Sequence, residues 1–160
     1  MNDYSKSTSP ADINDVLAFN ISRVGLLLRR ELIRALAEYS VTPEQWEVLM
    51  ALWTRDTALS QRDIGEIVLK DKHALSRMVA RLEENGWVKK RIPKGDRRMT
   101  EVYLTRKGKN ACAKMRDKLS CHIKTKVFNH FTSAEKSVLK ETMKTMRRLM
   151  GDDIPPQKSE

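Results

Sequence analysis

At Gly86 the spacing of apolar residues changes from a helical to an extended pattern, and it changes back at Thr105. Before the switch, Leu75, Met78, Val79 and Leu82 recur at three- and four-residue intervals. After it, Trp87 to Ile92 and Thr100 to Leu104 shift towards a period of two, with Pro93-Lys94-Gly95-Asp96 as the turn between them. The segment is a hairpin set among helices. Gly86 suits the left-handed position that ends a helix.

The flanks read as helices with clear start signals. Helix one is expected from about 12 to 39, its apolar stripe running through Ile13, Val16, Leu17, Ile21, Val24, Leu28, Leu32 and Ala35. Leu26, Leu27, Ile33 and Leu36 widen that stripe beyond one face, so the helix asks for more apolar partner surface than a small domain offers. A second copy of the chain would supply it. Thr42-Pro43-Glu44-Gln45 starts helix two with a cap, a proline at the first position and a capping box. Ser60 starts helix three, Leu69 and Lys70 make a tight turn, and Asp71 caps helix four. Thr105 caps helix five, expected from about 106 to 128, and Thr132 with Glu135 opens helix six, which stops at Gly151. The organisation is an arm at 1–11, a dimerisation helix at 12–39, a lobe at 42–105, C-terminal helices at 106–151 and a tail at 152–160. Two helices joined by a short turn and followed by a hairpin form a winged helix-turn-helix. The fold class is mainly α with a small β-hairpin.

Charge concentrates in the same lobe. From 70 to 109 there are 13 Lys and Arg against five Asp and Glu, a net +8 out of +10 for the 160 residues. Charge so placed calls for a polyanionic partner, and its position on strands and a turn favours nucleic acid over a membrane surface. A soluble cytoplasmic protein is expected, without cofactor or membrane partner. Two cysteines make no disulfide framework. Cys112 and Cys121 fall on opposite sides of one helix and cannot pair there. His73, His122 and His130 are scattered, so no metal site is read.

A recognition helix places short polar and basic side chains at its N-terminal end. Helix four shows Lys72, His73, Ser76 and Arg77 there, with the small Ala80 on the same side and the apolar residues opposite. Arg77 is the strongest candidate for base contact. His73 is open between reading a base, binding phosphate and neither. Ser60, Gln61 and Ser76 are candidate phosphate donors, although Ser60 serves equally well as a helix cap alone; Lys70 completes this set. The hairpin tip carries Lys94, Asp96, Arg97 and Arg98, and arginines beside a tight turn suit the narrow minor groove. Asp96, two residues from Arg98, is placed to orient that guanidinium.

The runs LSRMVARLEENGWVKKR and DRRMTEVYLTRKG, with the helix order over nearly the whole chain, resemble the MarR (multiple antibiotic resistance regulator) family of transcription factors. The resemblance implies a homodimer whose first and last two helices interlock, and a pseudo-palindromic double-stranded DNA operator. It implies Arg98 in the minor groove with Asp96 as its orienting partner, and Arg97 on a nearby phosphate. It also implies release of DNA by a small molecule. Arg23, Leu27, Trp46 and Met115 are candidates for that site, and an apolar cleft with one arginine suits an aromatic carboxylate or phenol. The expected function is a dimeric, sequence-specific regulator, more readily a repressor than an activator. The alternative is a non-specific or chromosome-architectural nucleic-acid-binding protein. No nucleophile–base–acid constellation or phosphate loop points to an enzyme.

Overall fold

A computed structural model of the chain describes residues 16–93 and 99–152. The helices are α1 (Leu17–Leu36), α2 (Pro43–Arg55), α3 (Gln61–Val68), α4 (Lys72–Glu84), α5 (Arg106–Lys126) and α6 (Ser133–Leu149). The strands are β1 (Leu59–Ser60), β2 (Val88–Arg91) and β3 (Glu101–Leu104).

The starts of α2 to α6 are closed by the side chains of their capping residues. Thr42 Oγ1 accepts the Gln45 N–H at 3.2 Å while Gln45 Oε1 accepts the Thr42 N–H at 3.0 Å. Thr132 and Glu135 repeat this box at α6. The ends differ from the expected bounds at α1 and at α5, which stops at Lys126 rather than about 128. α1 gives way after Leu36 to a 3-10 turn, Ala37–Tyr39, because Ser40 turns left-handed at φ 53° and breaks the helical ladder. The 12–15 part of helix one lies outside the described residues.

The hairpin is part of a larger sheet. β1 adds to it antiparallel, giving the order β1-β3-β2 with Leu59 opposite Val102 and Val88 opposite Leu104. A two-residue strand is too short to show a period in sequence. Val102 and Leu104 turn inward and join Leu49, Leu52, Ile64, Leu75, Val79, Leu82 and Val88 in a core shared by α2, α3, α4 and the sheet. α5 enters the same core through Cys112 and Met115, both fully buried.

The start of α5 is pressed against the α4–β2 turn. A Cβ on Gly108 would lie 2.0 Å from the Trp87 carbonyl oxygen, so only glycine permits this approach. Thr105 serves both sides: Oγ1 accepts the Gly108 N–H at 3.0 Å and donates to the Gly86 carbonyl at 2.7 Å. Gly86 itself adopts φ 72°, the left-handed ending its sequence position suggests.

α6 contrasts with this lobe. None of its residues is buried, and Val138, Leu149 and Met150 are 68–83% exposed. On α1, Leu17, Val24, Leu26 and Ile33 are also exposed, and only Glu31, Ala35 and Leu36 are buried.

Candidate nucleic-acid interface

The buried face of α4 is Leu75, Val79 and Leu82, which leaves Lys72, His73, Ser76 and Arg77 exposed on the other side. Lys70 is exposed in the tight turn before it, its N–H bonded to the Gly65 carbonyl at 3.0 Å. The turn is sharp because Leu69 adopts φ 52°. Arg81, one turn beyond Arg77, is exposed on the same face and extends the basic ridge. The i, i+4 spacing from Arg77 was signal enough to include it, and the sequence reading omitted it.

Both helix starts are occupied by their own caps. A phosphate at the α4 N-terminus would meet a carboxylate already there: Asp71 Oδ1 accepts the N–H groups of His73 and Ala74 at 2.8 and 2.9 Å. Those bonds, the Ala74 one foremost, hold the Asp71 carboxyl below its usual range. Of the two roles read for Ser60, the structure shows the cap. It is buried, its Oγ accepts the Asp63 N–H at 3.1 Å, and its proton goes to Asp63 Oδ2 at 2.8 Å. Gln61, half-buried, also ties α3 to the approach to β3: its backbone N–H donates to the Thr100 carbonyl at 3.3 Å. Gln61, Lys70, Lys72 and Thr100 line one open cleft between α3, the start of α4 and the approach to β3.

The tip residues Lys94, Asp96, Arg97 and Arg98 lie outside the described residues. Below the tip, Arg91 Nε meets Glu101 Oε2 at 2.7 Å across the strands, and its guanidinium lies 5.7 Å from the Tyr103 ring centre. Glu83, on the last turn of α4, accepts the Lys90 N–H at 3.2 Å and pairs with its ammonium at 2.9 Å. Nothing local in sequence marks Glu83, because its partner is seven residues away and in another element.

A second concave feature, about 720 Å³, lies where α1, α2, α5 and α6 approach one another. Leu32, Trp46, Leu119, Ile123, Leu139 and Met143 form its apolar part, with Arg116, Lys124, Lys136 and Lys140 among them. Trp46 is in its wall. Met115 is not: it is fully buried in the core. Arg23 and Leu27 are not in the wall either; they sit on the exposed stretch of α1. Their helical spacing could not tell a wall position from a core or outer one.

Cys112 is buried in apolar surroundings, which pushes its thiol up to about 12, so it carries no thiolate at neutral pH. Cys121 is exposed. No group of three or more metal-binding side chains comes together among the described residues. No helix among them is long and apolar enough to cross a membrane.

The MarR family model matches residues 39–99, from the turn after α1 to the start of the approach to β3. Over that segment the chain resembles the MarR family. Among its curated relatives is the HTH-type transcriptional regulator TtmR of Methylorubrum extorquens, 29% identical over 106 residues that cover 66% of this chain and 54% of TtmR. The chain spans 54–64% of the length of the curated relatives it matches. These relatives are transcriptional regulators, not enzymes. Its fold is that of a mutant E. coli MarR complexed with operator DNA, at TM-score 0.73 and 23% identity over 86% of this chain and 99% of that one. CouR from Rhodococcus jostii bound to p-coumaroyl-CoA matches at TM-score 0.75 and 20% identity, over 88% of this chain and 95% of CouR. Both likenesses extend the MarR fold beyond the segment 39–99 to most of the chain.

Proposed function

We propose that the chain is a dimeric, sequence-specific DNA-binding transcriptional regulator, acting in the cytoplasm as a repressor that a small molecule releases. The observation that carries this is the exposed ridge of α4, with Arg77 at its centre, beside a cross-braced β2–β3 arm. In this reading α4 enters the major groove, where Arg77 reads a base and His73 and Ser76 lie beside it. Gln61, Lys70 and Lys72 meet phosphates. Arg98 enters the minor groove with Asp96 orienting it, Lys94 lies beside it at the tip, and Arg97 meets a nearby phosphate. The exposed apolar faces of α1 and α6 are covered by those of a second copy, so that 12–39 and 106–151 make the scaffold spacing two lobes. The operator complex of the MarR relative supports the DNA partner.

The effector in this reading is an aromatic carboxylate or phenol in the cavity beside Trp46, whose apolar part takes the ring and whose cations take the negative charge. Binding of p-coumaroyl-CoA by CouR supports an aromatic ligand class.

Selection of bound sequences from a random DNA library tests the function. The expected product is an inverted repeat with half-site centres about one helical turn, roughly 10 base pairs, apart. Binding that retains every sequence equally would instead establish the non-specific, architectural alternative, since specific binding exceeds non-specific by at least about 10³. For the effector, a panel of aromatic carboxylates is added to the DNA complex. Trp46→Ala should abolish release while leaving DNA affinity unchanged.

A further inference from the structure

The last turn of α4 breaks a local rule. It carries Glu83 and Glu84, acidic groups at the negative end of the helix dipole, where Lys or Arg is favoured. An acid beside a polyphosphate partner is doubly out of place. Violations of this kind concentrate at functional positions.

The strand register shows what Glu83 does. The Thr105 N–H bonds the Trp87 carbonyl at 2.9 Å, which makes Trp87 and Thr105 a hydrogen-bonded position of the antiparallel ladder. With Val88 opposite Leu104 and Lys90 opposite Val102, alternation turns the backbone groups of Lys89 and Arg91 towards β3 and those of Lys90 outward. β2 is the edge of the sheet, so the Lys90 N–H faces away from any strand. Glu83 takes it with one carboxylate oxygen at 3.2 Å and takes the Lys90 ammonium with the other at 2.9 Å. One side chain thus grips both the backbone and the side chain of one residue, fixing the strand's direction as well as its distance. On the opposite edge, the Gln61 N–H holds the Thr100 carbonyl at 3.3 Å. The Arg91–Glu101 pair, at 2.7 Å, braces the two strands to each other. The arm is therefore clamped from α4 on one side and from α3 on the other.

We infer that Glu83 is a positioning residue for DNA recognition: its double grip on Lys90 sets the angle of the β2–β3 arm relative to α4, so that arm and helix meet adjacent grooves in register. The inference rests on the reading of the chain as a sequence-specific DNA-binding protein. Lys90 holds the Glu83 carboxyl below its usual range, so the grip is present at neutral pH.

The experiment uses the full-length chain and the sequence recovered from the random library. Affinity is measured on that sequence, on versions altered in the half-site core under α4, and on versions altered in the flank under the arm. The wild type should discriminate at both places. Glu83→Ala should keep its discrimination in the core and lose about tenfold in the flank, the loss expected when a charge-assisted hydrogen bond is removed. Lys90→Ala keeps the backbone half of the grip and should lose less. Should Glu83→Ala fail to fold, Glu83→Gln retains an acceptor for the N–H and carries the same comparison, with a smaller flank loss. Equal losses in core and flank, or an unchanged flank, would overturn the inference and leave Glu83 as a staple of the lobe. A wild-type protein without any sequence preference would overturn the regulator reading first, and this inference with it.

Discussion

The lobe from α2 to β3 and the helices α1 and α6 are built from similarly apolar sequence, yet they end in opposite states. In the lobe, Leu49, Leu52, Ile64, Leu75, Leu82 and Val102 are almost wholly buried within one chain. On α1 and α6, Leu17, Val24, Val138 and Leu149 lie open. The difference shows that apolar periodicity states how much surface must be covered, and does not state by which chain. The lobe closes on itself because three helices and a sheet meet around one point. A single helix such as α6 has one apolar face and needs a facing surface from elsewhere.

The comparison can be broken most forcefully inside the lobe. Leu82→Ala removes a fully buried side chain between α4 and the sheet and should cost about 2–5 kcal/mol in urea unfolding. A cost below 1 kcal/mol would mean that the lobe is not the self-sufficient half. Next in size is its surface: Arg77→Ala should weaken binding to the selected sequence by about 1–3 kcal/mol in a gel shift and leave the melting temperature unchanged.

On the other half, Val138→Lys on α6 should change unfolding stability of the dilute chain by only about 0.5 kcal/mol, because the side chain is exposed. It should nevertheless shift the sedimentation equilibrium from dimer to monomer. Equal sedimentation of variant and wild type would place the dimer contact elsewhere.

The smallest effect is at the boundary between the halves. Glu31 on α1 is buried and receives Lys126 at 2.7 Å and His122 at 3.0 Å from α5, with Arg34 at 2.9 Å from its own helix. The Lys126 bond first, and then that of His122, lower its carboxyl from the ordinary 4.5 to about 2. A carboxyl depressed in the folded state binds fewer protons there than when unfolded. Its stabilisation is therefore complete above about 4.5 and lost as pH falls towards about 2. Over that window the urea midpoint of the wild type should fall more steeply than that of Glu31→Gln.

Much of the lobe was legible in the residues themselves. Thr42 with Gln45, Ser60, Asp71, Thr105 and Gly86 each act through groups within a few positions, so their caps and turns could be read without a fold. The exposed face of α4 followed from its period. Position in the third dimension was harder. Met115 and Trp46 carry similar apolar signals, and only packing put one in the core and the other in a cavity wall. β1 is too short to have a period. Glu31 reads as one acid in an apolar stripe, and its partners stand 91 and 95 residues away.

The sequence alone determined the order of the helices, where α2 to α6 begin, and where the positive charge lies, because those rest on capping, period and composition. Only the tertiary structure decided which apolar faces are left uncovered, which cations gather around Glu31, and how Glu83 on α4 holds the outer edge of β2. Each of these depends on distances between segments remote in sequence, and no local spacing encodes such distances.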